Sequence, residues 1–136
     1  MAHASFELQT ALFALLAADG PLTALLGGPA IHDRAPPDAA FPYVTFGPAG
    51  GDDFSTQTGA GLEHRVVLDI WSRDNGRGEV LAIAEAIGTA IAGATVALPG
   101  HALVDLLHVA TDIGLDEDGE TFHGVLRYRA VTEPSG

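Results

Sequence analysis

Apolar residues recur at helical spacing in two segments of the chain, and each segment is predicted to form an amphipathic helix. The first segment covers residues 4–18, and its apolar positions are Phe6, Leu8, Leu12, Leu15 and Leu16. The second covers residues 79–92, and its apolar positions are Val80, Ile83, Ala84, Ile87 and Ile91. Gly88 lies inside the second helix, where the missing side chain favours a close approach between helix and sheet.

Short polar residues and glycines mark where these helices begin and end. Ser5 is expected to cap the N-terminus of the first helix. Asp19 is expected to cap a short additional helix over residues 21–26, which opens with a proline and stops at Gly27.

Apolar and polar residues alternate over residues 62–72, and this period of two predicts a β-strand with two different faces. Further strands are predicted over residues 31–33, 43–46, 103–113 and 121–132. The last two flank an acidic segment in which Asp118 and Gly119 form a turn signal, so they are expected to pair as a hairpin.

The order of these elements predicts an α+β fold in one domain, residues 1–136. The simplest arrangement is a single, mostly antiparallel (mixed) sheet of four to five strands with two main helices packed on one face. The other face would be polar and would meet either water or a partner. Its polar residues would be Arg65, Asp69, His108, His123, Arg127 and Arg129.

Two segments are unusual for a free monomer. Residues 48–61 are rich in Gly, Ser and Thr, which predicts a long flexible loop carrying Asp52, Asp53 and Phe54. Such a loop in a compact domain is either functional or disordered. The second segment contains Pro42 and Tyr43, where a proline opens an edge-type strand because its missing N–H costs least there.

The charge and composition of the chain argue against binding to nucleic acids through charge and against a place in a membrane. The net charge of −12 comes from 18 acidic residues and six arginines, without any lysine. Such a chain repels phosphate backbones and anionic membranes. The chain has no cysteine, no apolar run of about 18 residues that would span a membrane, and no signal-peptide pattern near its N-terminus. We therefore expect no membrane partner.

The sequence contains few candidate catalytic or metal-binding residues. His108 and His123 could face each other across the hairpin with Asp69 nearby, which would suit a metal site in a small metal-dependent enzyme. A solvated polar sheet face explains the same residues more simply. The acidic hairpin lacks the twelve-residue spacing of a calcium loop. The sequence therefore predicts no enzyme, no cofactor and no bound metal.

Four pieces of the chain, taken in their order and spacing, resemble the tail-completion or tail-terminator family of long-tailed phages and gene transfer agents. They are "LLAADGPLTALLGG", "IHDRAPPDAAFPYVTFG", "LEHRVVLDIWSRDNGRGEVLAIAEAI" and "DGETFHGVLRYRAVTE", and together they span roughly residues 5–133.

The resemblance implies a structural virion protein similar to the lambda-type tail terminator. Members of that family assemble as a hexameric ring that caps the tail tube, meets the head-side connector and lets DNA pass through its channel. The implied partners are copies of the chain itself, the major tail tube protein and the connector or stopper protein. The implied place is the head–tail junction of a virion or gene transfer agent particle, after assembly in the host cytoplasm. A head-completion or connector subunit is the alternative within the same kind of particle.

The resemblance does not assign interface residues, so they are predicted from the sequence. The assembly interface is expected at the loop, the proline-led strand and the hairpin tip. Its residues would be Asp52, Asp53, Phe54, Pro42, Tyr43, Asp116, Glu117 and Asp118. The polar sheet face, with Arg65, Asp69, Arg127 and Arg129, is a second candidate surface. Acidic residues that faced a channel would repel DNA and let it slide.

Overall fold

A computed structural model describes residues 3–53 and 59–134 of the chain. Within these residues it has three helices, α1 Ala4–Ala17, α2 Gly20–Leu26 and α3 Gly78–Ala92. Its strands are β1 Ile31–His32, β2 Tyr43–Phe46, β3 Gly50–Asp53, β4 Leu62–Ser72, β5 His101–Leu115 and β6 Phe122–Pro134. The predicted α+β class is confirmed.

All six strands belong to one sheet, in the order β1-β2-β4-β6-β5, and β3 pairs separately with β4. Only β1 and β2 run parallel, so the sheet is mixed and mostly antiparallel, as predicted. The predicted hairpin is β5 and β6, which pair along their whole length. β5 forms one edge of the sheet. β2 is not an edge strand, because β1 pairs with it on its outer side.

The segment expected to be a loop, residues 48–61, contains strand β3. Gly50–Asp53 pairs with the first residues of β4, with Gly50 opposite Arg65 and Asp52 opposite Glu63. The guanidinium of Arg65 lies over Gly50 and forms an ion pair with Asp52, and a side chain at position 50 would collide with it. The glycine therefore makes room for an arginine that holds the strand in place. Phe54 and the rest of residues 54–58 lie outside the described residues.

The hydrophobic core lies on one face of the sheet, under all three helices. Each helix contributes one stripe of buried leucine, valine or isoleucine, and the sheet contributes the alternate residues of its central strands. The fully buried side chains include Leu8, Leu12, Leu16, Leu22, Ile83, Ile87, Leu68, Ile70 and Leu126. The prediction of helices on one face is confirmed, with α2 as a third, shorter member of the layer.

Helix and sheet approach each other closely at Gly124 in β6. A Cβ built there would lie 2.5 Å from Cγ1 of Val80 at the start of α3. Gly88, which the sequence indicated for this role, has room to spare, since its Cβ would meet only the Tyr128 hydroxyl at 3.7 Å. The close contact exists, but the glycine that permits it is in the strand.

The helix ends follow the expected chemistry at α2 but not at α1. Asp19 caps α2 by accepting a hydrogen bond from the Leu22 amide at 3.0 Å, and Gly27 ends the helix in the left-handed region. At α1 the N-cap is His3, whose Nδ1 accepts from the Ser5 amide. The prediction of Ser5 as the cap was wrong because its hydroxyl bonds to His64 instead.

Replacing Gly124 by alanine should destabilise the protein, since the new methyl group has no space against Val80. Overpacking of this kind costs about 1–3 kcal/mol. The measurement is the free energy of unfolding from urea titrations of the wild type, Gly124→Ala, Val80→Ala and the double variant. If the contact is the cause, the double variant loses less stability than the two single losses added together. An additive result would contradict this explanation.

Candidate assembly surfaces

The face of the sheet opposite the helices, here called the open face, carries a set of cross-strand ion pairs. Arg127 of β6 lies 2.8 Å from Asp112 of β5, and Arg129 of β6 lies 2.7 Å from Glu63 of β4. Arg65 pairs with Asp52 as described above. The structure thus places the predicted polar residues Arg65, Asp69, Arg127 and Arg129 together on one face, which none of the described helices covers.

One end of the open face holds an aromatic cluster. The rings of Trp71 and His123 stack 3.9 Å apart at 8°, and Tyr43 lies 6.3 Å from Trp71. Phe41 lies 5.0 Å from Tyr43, and the guanidinium of Arg73 lies 4.3 Å above the Phe41 ring. Aromatic and arginine side chains are the residues most enriched at the centres of protein interfaces.

The hairpin tip lies at this same end of the open face. His123 is held between two carboxylates, since its Nε2 lies 2.7 Å from Asp69 and its Nδ1 lies 4.0 Å from Asp116. Arg73 lies 3.8 Å from Asp118 and 3.9 Å from Glu120. Arginine and histidine therefore join the acidic tip to the aromatic cluster.

Asp118 stabilises the turn itself. Its carboxylate accepts hydrogen bonds from the Thr121 hydroxyl at 2.6 Å, the Thr121 amide at 2.8 Å and the Glu120 amide at 2.9 Å. These bonds, first of all that from the Thr121 hydroxyl, lower the pKa of Asp118 to about 2. Glu117 is exposed, and Asp116 is half-buried. Of the predicted tip residues, Glu117 and Asp118 are both exposed, and the carboxylate of Asp118 is engaged in the turn.

The predicted interface residues fall into two groups. Pro42, Tyr43 and the hairpin tip lie at the end of the open face where β4 finishes. Asp52 and Asp53 pair with the beginning of β4. About eight residues of strand separate the two groups, which corresponds to roughly 26 Å. The residues therefore cannot form one compact patch on a single copy of the chain.

His108 lies on the helix side of the sheet, not beside His123. A β-bulge between His108 and Ala110 shifts the alternation of β5, so that His108 pairs with Tyr128 while His123 pairs with Gly114. The proposed grouping of His108, His123 and Asp69 was therefore wrong. Among residues 3–53 and 59–134, no cluster of three or more His, Asp or Glu side chains could hold a metal ion.

A buried polar network that sequence reasoning missed fastens the first turn of α1 to the sheet. His64 is almost fully buried, with Nδ1 2.9 Å from the Ser5 hydroxyl and Nε2 2.8 Å from the Thr132 hydroxyl. Burial lowers the pKa of His64, and the nearby His3 and His101 lower it further. A catalytic serine–histidine pair would have a carboxylate in the place of Thr132. This network is structural.

Glu7 forms the second part of this fastening. Its carboxylate is buried, accepts a hydrogen bond from the Gly100 amide at 3.0 Å and lies 2.8 Å from Nδ1 of His101. The hydrogen bond with His101 holds the pKa of Glu7 below its usual range. No sequence signal marked these residues, because they are 93 and 94 positions apart along the chain.

The helix side of the molecule also has an apolar groove of about 880 Å³ between α3 and β5. Leu81 and Ala84 of α3 form one wall, and Leu103 and Leu106 of β5 form the other. Phe6 and Ala11 of α1 line a second apolar hollow against the segment between α3 and β5.

None of the described helices is, by itself, long and apolar enough to cross a membrane. Taken together, α1 and α2 have the length and composition of a span, but they are bent by 78° at their junction.

Comparison with known proteins shows which family the chain belongs to. Residues 10–133 match the tail completion protein gp17 family. The chain belongs to this family. It is therefore a structural tail completion protein of a phage or gene transfer agent virion, and not an enzyme. The family expected from the sequence is confirmed, and none of the curated proteins matches the chain.

Two solved structures have the same fold. A chain in the virion of a native gene transfer agent particle is 32% identical to this tail completion protein, with a TM-score of 0.87 over 97% of this chain and 99% of that chain. The gp17 protein of bacteriophage SPP1 is 22% identical, with a TM-score of 0.61 over 93% of this chain and 89% of that chain.

The buried state of His64 should make stability depend on pH. Because the pKa of His64 is lowered in the folded state, the unfolded chain binds a proton that the folded chain rejects. Stability should be full above the unfolded value of about 6.5 and should fall as pH drops below it, by at most about 1.4 kcal/mol per pH unit for this proton. Urea titrations between pH 7 and pH 5 measure this slope.

The variant His64→Gln should show a shallower slope over the same range, since it cannot titrate. His32→Gln is the matched control, because it removes an imidazole from outside the network. Equal slopes in the wild type and His64→Gln would contradict the assignment.

Asp118 should titrate far below an ordinary aspartate. Its carboxyl carbon, followed by NMR in labelled protein, is expected to show a midpoint near pH 2. In Thr121→Val, which removes the hydroxyl donor, the midpoint should move upward towards the ordinary value of about 3.9. A midpoint that stays at the wild-type value in this variant would show that the hydroxyl is not the main cause.

Proposed function

We propose that this tail completion protein forms a ring of six copies that caps the tail tube and joins it to the head-side connector. The observation that carries the proposal is the match, over nearly the whole of both chains, to a chain of a gene transfer agent virion. A match of this length supports a role for this chain in the same kind of particle. The place that we propose there is the head–tail junction, after assembly in the host cytoplasm.

The open face supplies two surfaces for such a role. At one end lie the aromatic cluster and the acidic hairpin tip, where Tyr43, Trp71 and Arg73 combine apolar area with fixed polar groups. At the other end lies Asp52 of β3, opposite Glu63, whereas Asp53 is opposite Leu62 and so belongs to the helix side of the sheet. The separation of the two ends, roughly 26 Å along β4, suits a subunit that contacts one component above it and another below it. The tail tube protein and the connector are the proposed partners.

The net charge supports passage of DNA through the ring without adhesion. The chain carries 18 acidic residues against six arginines, and four arginines are already paired with carboxylates. A phosphate backbone therefore meets few free cations on this protein, and a strongly negative surface repels it. We propose that DNA slides through the channel with no sequence-specific contact.

The experiment is electron microscopy of particles produced without this protein. A tail-capping role predicts tails of uncontrolled length or tails unjoined to heads, and re-supplied wild-type protein should restore normal particles. Heads that fail while tails keep their normal length would instead indicate a head-completion subunit. Normal particles in the absence of the protein would contradict both roles.

The hairpin tip can be tested in the same experiment. Glu117→Lys should fold normally, because its side chain is exposed, but it should restore few complete particles by placing a cation where a partner meets an acidic surface. Asp38→Lys makes the same charge change at another exposed position and should restore particles like the wild type. Equal restoration by both variants would remove the tip from the proposed contact.

A further inference from the structure

The edge strand β5 exposes apolar residues although it has features that usually protect a sheet edge, namely the charged residues Asp105 and Asp112 and two bulges. Natural edges are kept from pairing with other chains by charged residues or by bulges that turn the edge away. β5 has two bulges, but the residues left without a register partner are Val104 and Val109, with side chains 56% and 60% exposed. The bulges therefore present apolar residues along the edge instead of removing it from contact.

The groove between α3 and β5 runs beside this edge and continues its apolar character. Leu81, 53% exposed, forms the α3 wall of the groove, and Leu107, 51% exposed, lies in its β5 wall. Four of the large exposed apolar side chains of the described residues thus lie along one border of the molecule. Exposed apolar residues gathered along one border, beside an apolar groove, are typical of a site of interaction.

Charge indicates what covers this surface. Between Glu85 and Asp105 the sequence contains no Asp, Glu, Lys or Arg, and the groove is lined by one carboxylate, Glu85, and one imidazole, His108. Two copies of a chain with a net charge of −12 repel each other over most of their surfaces. They approach most closely where carboxylates are few, and the groove between α3 and β5, with Glu85 as the one carboxylate in its lining, is such a place. A basic partner would gain more by binding the acidic surfaces elsewhere.

We propose that the α3–β5 border, defined by Leu81, Val104, Leu107 and Val109 with the groove between them, is the contact between neighbouring copies of this chain. The inference rests on the proposed ring and adds to it the surface through which one copy meets the next. A closed ring of identical subunits uses head-to-tail contacts, so the groove receives a different surface of the adjacent copy.

Crosslinking can identify the occupant directly, because the chain has no cysteine of its own. Val109→Cys is labelled with a benzophenone maleimide, assembled into particles and irradiated. The expected product is an adduct of two copies, at twice the mass of the 14.0 kDa chain. An adduct with a different virion protein, or no adduct from Val109→Cys when Asp38→Cys gives one, would overturn the proposal and leave the role of the protein in tail completion standing. Particles that do not contain the chain would overturn both.

A pair of leucine variants tests whether the surface is needed. Leu81→Glu places a charge in the groove and should abolish the adduct of two copies, with complete particles falling at least tenfold. Leu25→Glu is the matched control, since Leu25 is 41% exposed on α2, away from the groove, and it should behave like the wild type. Both variants should keep the wild-type circular dichroism spectrum and melting temperature. Ring assembly by Leu81→Glu at the wild-type level would overturn the proposal.

Discussion

The pairing of β4 with β6 is the interaction on which the other features of this protein depend. The two strands are matched over eleven consecutive residue pairs in the middle of the sheet. Their alternate residues form the floor of the core on one side and the ion pairs and aromatic cluster on the other. Because side chains alternate with a period of two, a slip of one residue would move the arginines into the core and the leucines into solvent. Burial of Leu68 and Leu126 and the stack of Trp71 on His123 both favour the observed register.

The elements were largely predictable because their patterns are local. The stripe of α3, the alternation of β4 and the turn signal at Gly119 each lie within one segment, and each was found with bounds close to those observed. β3 was missed because its four residues, Gly50–Asp53, have no apolar alternation. It is defined by its pairing with β4, where Arg65 lies over Gly50 and reaches Asp52, and these contacts depend on pairing and not on local preference.

The candidate surfaces were predictable only in part. The alternation in β4 grouped Arg65 with Asp69 on one face, as observed. It also places Trp71 on that face, which could have indicated the aromatic cluster. The position of His108 could not be derived, because a bulge changes the face of every later residue in the strand. The fastening of Glu7 to Gly100 and His101 was equally out of reach, since it joins distant segments in a way that only the packed helix layer creates.

The two bulges have a mechanical consequence for the hairpin. β5 has 15 residues and β6 has 13, so the outer strand is longer than its partner by one residue for each bulge. A longer strand paired along its whole length with a shorter one must lie on the convex side of a bent hairpin. Bulges also increase the local twist. The curvature of the hairpin is therefore set by its backbone. The surfaces along the hairpin have this curved shape in the single chain, without a partner.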